Sequence, residues 1–303
     1  MKPLDVIIDT DIGSDIDDAY ALALAIRGPL NLLGVSTVSG NTITRGAIVK
    51  KMLAIENKPG IPVFAGKQSR ALMVYGIWVK GNENIEVNPD LDAMVEFYWH
   101  SIERSTDGAV HIVGIGPLSN LAAIRERNPA RFDEMVVLMI MGGAIYKSYY
   151  GTLHLLPEYN IAMDKQAARE IFASKVALTV VPLDVTMAMK MAARDFEFLE
   201  AKSRDDALIA GLLEMTRIFQ SHWIGHRMPI LHDPATLGVL LDNTLGTFTP
   251  LPLIITRGGF TRQVKRKSPG IIDKKVCLDM DKQRFFDLFY RTLVGHGPPG
   301  SPP

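Results

Sequence analysis

The sequence predicts an α/β fold: a mainly parallel, Rossmann-like central sheet flanked by helices. Short apolar, β-branched runs alternate with longer segments of helical period, the pattern of consecutive βα units. Each run is apolar almost without interruption, as suits a strand buried on both faces. Polar residues and glycines gather directly after the runs, at the strand ends where open α/β sheets bind ligands.

Taken in order, LDVIID (4–9) is the first strand and leads through an acidic stretch into a helix over 17–27. The runs NLLGVSTV (31–38), AVHIVGI (109–115), MVVLMIM (135–141) and ALTVVPL (177–183) are the next strands. Helices are expected between them near 44–57, 89–105, 117–127 and 164–173. Residues 205–223 set Leu208, Leu212, Met215, Phe219 and Trp223 on one helical stripe, an apolar face for the core. A helix over 234–242 follows, then strand-like pieces near 251–256, 261–266 and 275–280. A closing helix over 281–294 carries Phe286, Phe289 and Leu293. No repeat or linker divides the chain, so one domain over 1–294 is expected. The composition of GHGPPGSPP (295–303) cannot pack a core and reads as a disordered tail.

The 303 residues are 47% hydrophobic and 22% charged, an ordinary globular balance. Lysine plus arginine equals aspartate plus glutamate at 33 each, so no net field attracts nucleic acid or an anionic membrane. Neither is expected as a partner. The single cysteine, Cys277, forbids an internal disulfide and suits a reducing compartment. No apolar run approaches the ~18–20 residues that span a bilayer, and Pro3 and Asp5 stand where a signal peptide needs a basic start. A cytoplasmic protein whose function sits in a local site is the expectation.

That site begins at DTDIGSDIDD (9–18), five aspartates in ten positions. Asp17 and Asp18 would serve as helix cap and first-turn residues, which leaves Asp9 and Asp11 unexplained. Clustered carboxylates need a positive partner, and a hard divalent cation with oxygen ligands is the economical one. An EF-hand loop fails, because a strand precedes it and Tyr20 holds the twelfth position. A Mg²⁺-dependent phosphatase with Asp9 as nucleophile also begins strand-Asp-x-Asp. Gly13 stands where that class has Thr or Val, and no later motif supports it.

A third scheme covers most of the chain. DTDIGSDIDDAYAL (9–22) resembles the N-terminal signature of the inosine-uridine-preferring nucleoside hydrolase family. VSTVSGN (35–41), VGIGPLSNLA (113–122), MGGA (141–144), PEYNIAMD (157–164), VPLDVT (181–186) and HDPAT (232–236) follow in the family's order. The resemblance implies hydrolysis of the N-glycosidic bond of a ribonucleoside to ribose and free base. It implies Ca²⁺ held by Asp11, Asp18, the backbone carbonyl of Ile115 and Asp233. Asp11 would be the general base and His232 the acid that assists the leaving base. Asp17, Asn41, Glu158 and Asn160 would read ribose hydroxyls, with Met141 against the sugar. The family's usual Gly-Asn is Gly151-Thr152 here, so Thr152 would stand where a contact to the 5′-hydroxyl is expected. A homodimer or homotetramer is implied as well.

Three further features bear on this site. Two more residues than the family pattern lie between Asp11 and Asp17-Asp18-Ala19, which makes Asp15 an extra acid. Tyr75 and Trp78 are candidates to close over the base, and Gln220 and His222 to contact it, whereas Trp223 is expected in the core. For HDP (232–234), a helix start with Asp233 as cap is compatible with metal ligation. A ribose- or nucleoside-binding protein without turnover is the non-enzyme alternative, opposed by Asp11 and His232 together.

Overall fold

The computed structural model describes residues 3–81, 85–105, 110–149, 156–223, 228–264 and 270–296. The chain opens with β1 (Leu4–Thr10), α1 (Asp17–Arg27), β2 (Leu30–Thr37), α2 (Thr42–Ile55) and the short β3 (Val63–Ala65). There follow α3 (Leu91–Arg104), β4 (Val110–Gly114), α4 (Ser119–Arg127), α5 (Pro129–Met135) and β5 (Val136–Met141). Next come α6 (Tyr159–Met163), α7 (Lys165–Ala173), β6 (Ala177–Val181), α8 (Leu183–Thr186), α9 (Ala193–Lys202), α10 (Ala207–His222) and α11 (His232–Leu241). The last elements are β7 (Gly246–Ile255), β8 (Thr261–Gln263), β9 (Asp273–Met280) and α12 (Lys282–Val294).

Among the described residues, the nine strands form one sheet in the order β3-β2-β1-β4-β5-β6-β9-β7-β8. Pairing is parallel from β3 through β9, and β7 and β8 add an antiparallel margin. The sheet divides two cores. On β1, Val6 and Ile8 pack into one and Ile7 into the other, the two-residue alternation of a strand. That double burial is why the expected strands read as unbroken apolar runs.

Expected and observed elements differ mainly in the last third. β7 begins at Gly246, earlier than the apolar pattern, because Thr247, Phe248 and Pro250 pair with β9 across a register shift. Its prolines, Pro250 and Pro252, argue locally against a strand. The short β3 and helices α5, α6, α8 and α9 lack a long period and leave no clear trace in the sequence. On α12, Phe285, Phe289, Tyr290 and Leu293 are buried while Phe286 is only partly so. Cys277 is a buried residue of β9. Of the tail expected over 295–303, residues from 297 onward lie outside the described residues. No described helix is long and apolar enough to cross a membrane.

The sheet and α1 together make an acidic crevice. The strand order reverses direction between β1 and β4, the switch point where α/β sheets open a crevice beyond their carboxyl ends. Helix α1 is buried along Asp17–Ile26, packed against α2, α10, α11 and α12. Its first turn therefore carries Asp17 and Asp18 into the interior at that crevice.

Candidate active site

A cavity of about 320 Å³ opens at the switch point, within the size range of small-molecule sites. Its floor carries Asp11, Asp17, Asp18, Ile115, Asp233 and His232, and one wall carries Met141, Glu158 and Asn160. Leu72, Tyr149, Tyr159, Leu183, Phe219 and Trp223 supply apolar and aromatic surface, and Ser14 and Asp15 stand on the acidic loop.

Backbone closeness builds the floor. The loops after β1 and β4 touch: a Cβ at Gly116 would stand 2.9 Å from the Asp11 nitrogen, so only glycine fits there. Asp17 Oδ2 accepts from the Asp233 backbone N–H at 3.1 Å, which ties the start of α1 to the start of α11. Asp18 Oδ1 accepts from Thr10 Oγ1 at 2.5 Å. Asp233 lies within the first turn of α11, whose cap position is Leu231. The N-cap role expected for Asp233 is therefore not the one it plays. Asp17 and Asp18 are likewise first-turn residues, behind a cap at Ile16 that makes no side-chain bond.

Carboxylate oxygens of Asp17, Asp18 and Asp233 lie within 4.8 Å of one another, all buried. Burial raises the pKa of each, and repulsion from neighbouring aspartates adds to it. Asp11 rises to about 6, driven by burial, opposed by the Arg45 guanidinium and reinforced by Asp15. Such a cluster is strained electrostatically until a cation enters. The donor set is oxygen only, without cysteine or histidine, so it fits a hard divalent ion better than zinc. These aspartates are thus able to hold a metal ion.

The remaining polar groups are pinned by the backbone. Asn160 Nδ2 donates to the carbonyls of Ile115 and Met141, each at 3.2 Å. Both amide hydrogens are thereby committed, and Asn160 meets a ligand as an acceptor. Glu158 caps α6, accepting from the N–H groups of Asn160, Ile161 and Gly143; burial raises its pKa against those bonds. His232 Nδ1 lies 2.7 Å from Thr186 Oγ1 on α8, and burial lowers its pKa to about 4. The ring is therefore neutral at physiological pH. The Thr186 hydroxyl either donates to Nδ1, which puts the ring proton on Nε2, or accepts from it.

Several expected residues fall elsewhere. Asn41 is exposed, and its Oδ1 accepts from Thr44 N to cap α2. The cause is local: Ser39 and Gly40 both have positive φ (66° and 59°), turning the chain away before residue 41. Tyr75 is fully buried, its hydroxyl accepting from Gly13 N and donating to Asp15 O. Trp78 is buried, bonded to Glu214 and stacked under Lys51. Neither closes over the cavity. Gln220 bonds Met228, and His222 is exposed, packing its ring on Trp223. Trp223, expected in the core, lines the cavity beside Phe219, because α10 stops at His222 and releases it. Thr152 lies outside the described residues. Asp9 is fully buried below the floor, accepting from Ser36 and Asn120. A nucleophile needs access, so the phosphatase scheme fails on this geometry. Tyr159 lines the cavity between Glu158 and Asn160, and its place inside PEYNIAMD is the sequence signal that could have found it.

A Rossmann-like sheet whose switch point holds a buried, acidic pocket is the arrangement of a small-molecule site. The chain belongs to the family described as inosine-uridine preferring nucleoside hydrolase, whose profile matches residues 6–287. It is accordingly an enzyme of the ribonucleoside hydrolase class. A protein of Schizosaccharomyces pombe is 32% identical over 254 residues, 78% of this chain and 79% of that one. The pyrimidine-specific ribonucleoside hydrolase RihA of Klebsiella pneumoniae is 27% identical and spans 96% of this chain and 98% of its own. Among solved structures, a plant nucleoside hydrolase shares the fold with a TM-score of 0.80. It is 24% identical over 96% of this chain and 99% of that one.

Proposed function

We propose that the protein hydrolyses the N-glycosidic bond of ribonucleosides in a Ca²⁺-dependent reaction. The observation that carries this reading is the convergence of Asp17, Asp18 and Asp233 in a cavity that also holds Asp11, Asn160 and His232. Asp11, Asp18, Asp233 and the Ile115 carbonyl would hold the cation. When bound, it supplies Lewis-acid help in activating water and grips vicinal hydroxyls.

The chain's own groups do the rest. Asp11, with a pKa of about 6, suits acceptance of a proton from the attacking water near neutrality. Glu158, Asn160 and Asp17 orient the ribose as acceptors of its hydroxyl hydrogens, with Met141 against the ring. The acidic floor favours positive charge developing on the sugar as the bond to the base breaks. His232 acts as a neutral hydrogen-bond donor through Nε2, stabilising charge on the departing base. In this form it assists the leaving base by hydrogen bonding rather than by full transfer of a proton from an imidazolium.

The decisive assay is release of reducing sugar from uridine, cytidine, inosine, adenosine and guanosine, with and without a chelator. Uridine and cytidine head the panel because the relative RihA is named pyrimidine-specific. Ribose release that vanishes with chelator and returns with Ca²⁺ is expected. No release from any substrate at micromolar enzyme sinks the reading. A cytoplasmic homo-oligomer belongs to the same proposal, and sedimentation gives the number of subunits.

His232→Ala is expected to lower kcat on natural nucleosides by about 10²-fold or more. A riboside of p-nitrophenol, whose leaving group departs as a stable anion, should be nearly unaffected. Equal losses on both substrates would place the leaving-group assistance elsewhere. Thr186→Val should reproduce a milder form of the same pattern, because it frees the ring to adopt the other tautomer.

A further inference from the structure

Arg45 in α2 is fully buried, yet among the described residues no carboxylate stands within ion-pair distance of it. Its donors go elsewhere: Nε to Ser39 O at 2.8 Å, Nη1 to Ile12 O at 2.7 Å and Nη2 to Leu72 O at 3.3 Å. These bonds occupy three of the guanidinium's five N–H groups and leave its charge unpaired, and a buried unpaired charge is costly. Its compensation lies one hydroxyl away. Nη1 also donates to Ser14 Oγ at 3.3 Å, and Ser14 Oγ lies 3.5 Å from Asp11 Oδ2. The guanidinium's field opposes the rise in pKa of both Asp11 and Asp18.

We propose that Arg45 is the built-in counter-cation of the acidic loop, offsetting through Ser14 the negative charge that Asp11 brings to the cluster before a metal ion arrives. This role rests on the cation-binding reading of the site. Once a divalent ion occupies the site, attraction between Arg45 and the carboxylates is offset by repulsion from that ion. The charge of Arg45 therefore stabilises the metal-free fold more than the loaded one, whereas its bonds to carbonyls stabilise both alike. Removing the charge should enlarge the stabilisation that calcium confers, and by linkage tighten calcium binding.

The test compares wild type, Arg45→Gln and Arg45→Lys by thermal melting in chelator and in saturating CaCl₂, with calorimetric titration of calcium into metal-free protein. For Arg45→Gln, the calcium-induced rise in Tm should exceed that of wild type by roughly 2 °C or more. Its calcium Kd should fall several-fold, while Arg45→Lys, which keeps the charge, stays near wild type. An Arg45→Gln protein that folds only with calcium is the same result in its strongest form. Equal calcium shifts in all three proteins, weaker calcium binding by Arg45→Gln, or an Arg45→Gln protein unfolded even with calcium overturns the proposal. A wild-type protein whose Tm calcium does not move removes the cation reading itself, and this proposal with it.

Discussion

At saturating calcium, Asp11→Asn should reduce ribose release by about 10²–10⁴-fold. The substitution keeps the size and most of the hydrogen bonding of the side chain, which matters in a floor where Gly116 leaves no spare room. What it removes is the ability to accept a proton from water, together with one anionic ligand for the cation. It also removes one negative charge from a cluster in which Asp11 raises the pKa of Asp17, Asp18 and Asp233. The metal-free variant should therefore melt at the same temperature as wild type or higher. Activity lost at saturating calcium while stability is kept fits the base, since a structural role would lose both together and a ligand role alone would be recovered by excess calcium. Reducing-sugar assays at saturating substrate, beside thermal melts in chelator, give the two readings. Turnover within tenfold of wild type would remove Asp11 from the role of base.

The strands and most long helices can be read from the sequence because their burial leaves a periodic trace. The acidic loop is equally legible as a site, since Asp9 to Asp18 carry more charge than helix capping explains. What escapes is set by tertiary contacts that leave no local pattern. Asn41 sits in a motif, yet the positive-φ turn at Ser39 and Gly40 sends it to cap α2. Trp223 continues the apolar stripe of α10, yet the helix ends one residue earlier and the indole faces the cavity. Tyr75 and Trp78 are aromatic residues near the site that spend their polar atoms on bracing. Arg45 has no sequence signal at all, because its partners are backbone carbonyls on three separate loops.

The bracing bears on how the longer acidic loop is held. Asp15 is exposed at the cavity edge, but its carbonyl accepts from Tyr75 and its Oδ1 from Ile16 N. Tyr75 also takes the N–H of Gly13, so one buried phenol secures both sides of Ser14. Asp15 thus acts on the floor mainly as a charge, adding to the repulsion on Asp11, Asp17, Asp18 and Asp233. The extra turn makes the pocket more negative while leaving the converging trio to Asp17, Asp18 and Asp233.

Metal-free protein should be more stable at pH 5.5 than at pH 8, and calcium should reverse that order. Asp9 and Asp11 have pKa values of about 7 and about 6 in the fold, against an ordinary 3.8. A group whose pKa is raised by folding contributes stability that is fully present below its unfolded value and is lost as pH climbs through the folded one. Asp17, Asp18 and Asp233 shift in the same direction. His232 opposes them: its pKa falls from 6.5 to about 4, so its contribution is present above 6.5 and lost as pH drops. Glu158, raised by burial, joins the aspartates, and His111, lowered by burial, joins His232; six carboxylates against two imidazoles decide the sign between pH 5.5 and 8. Calcium requires the carboxylates deprotonated, and at a thousandfold excess over its Kd it adds ~4 kcal/mol of stability. That gain is largest where protons do not compete, so the loaded protein should melt highest near pH 8. Melting curves at pH 5.5, 6.5 and 8, each in chelator and in calcium, test both slopes. A chelated protein that gains stability steadily from pH 5.5 to 8 would mean the aspartates are already compensated without a metal ion, and the acidic floor would then need a different partner.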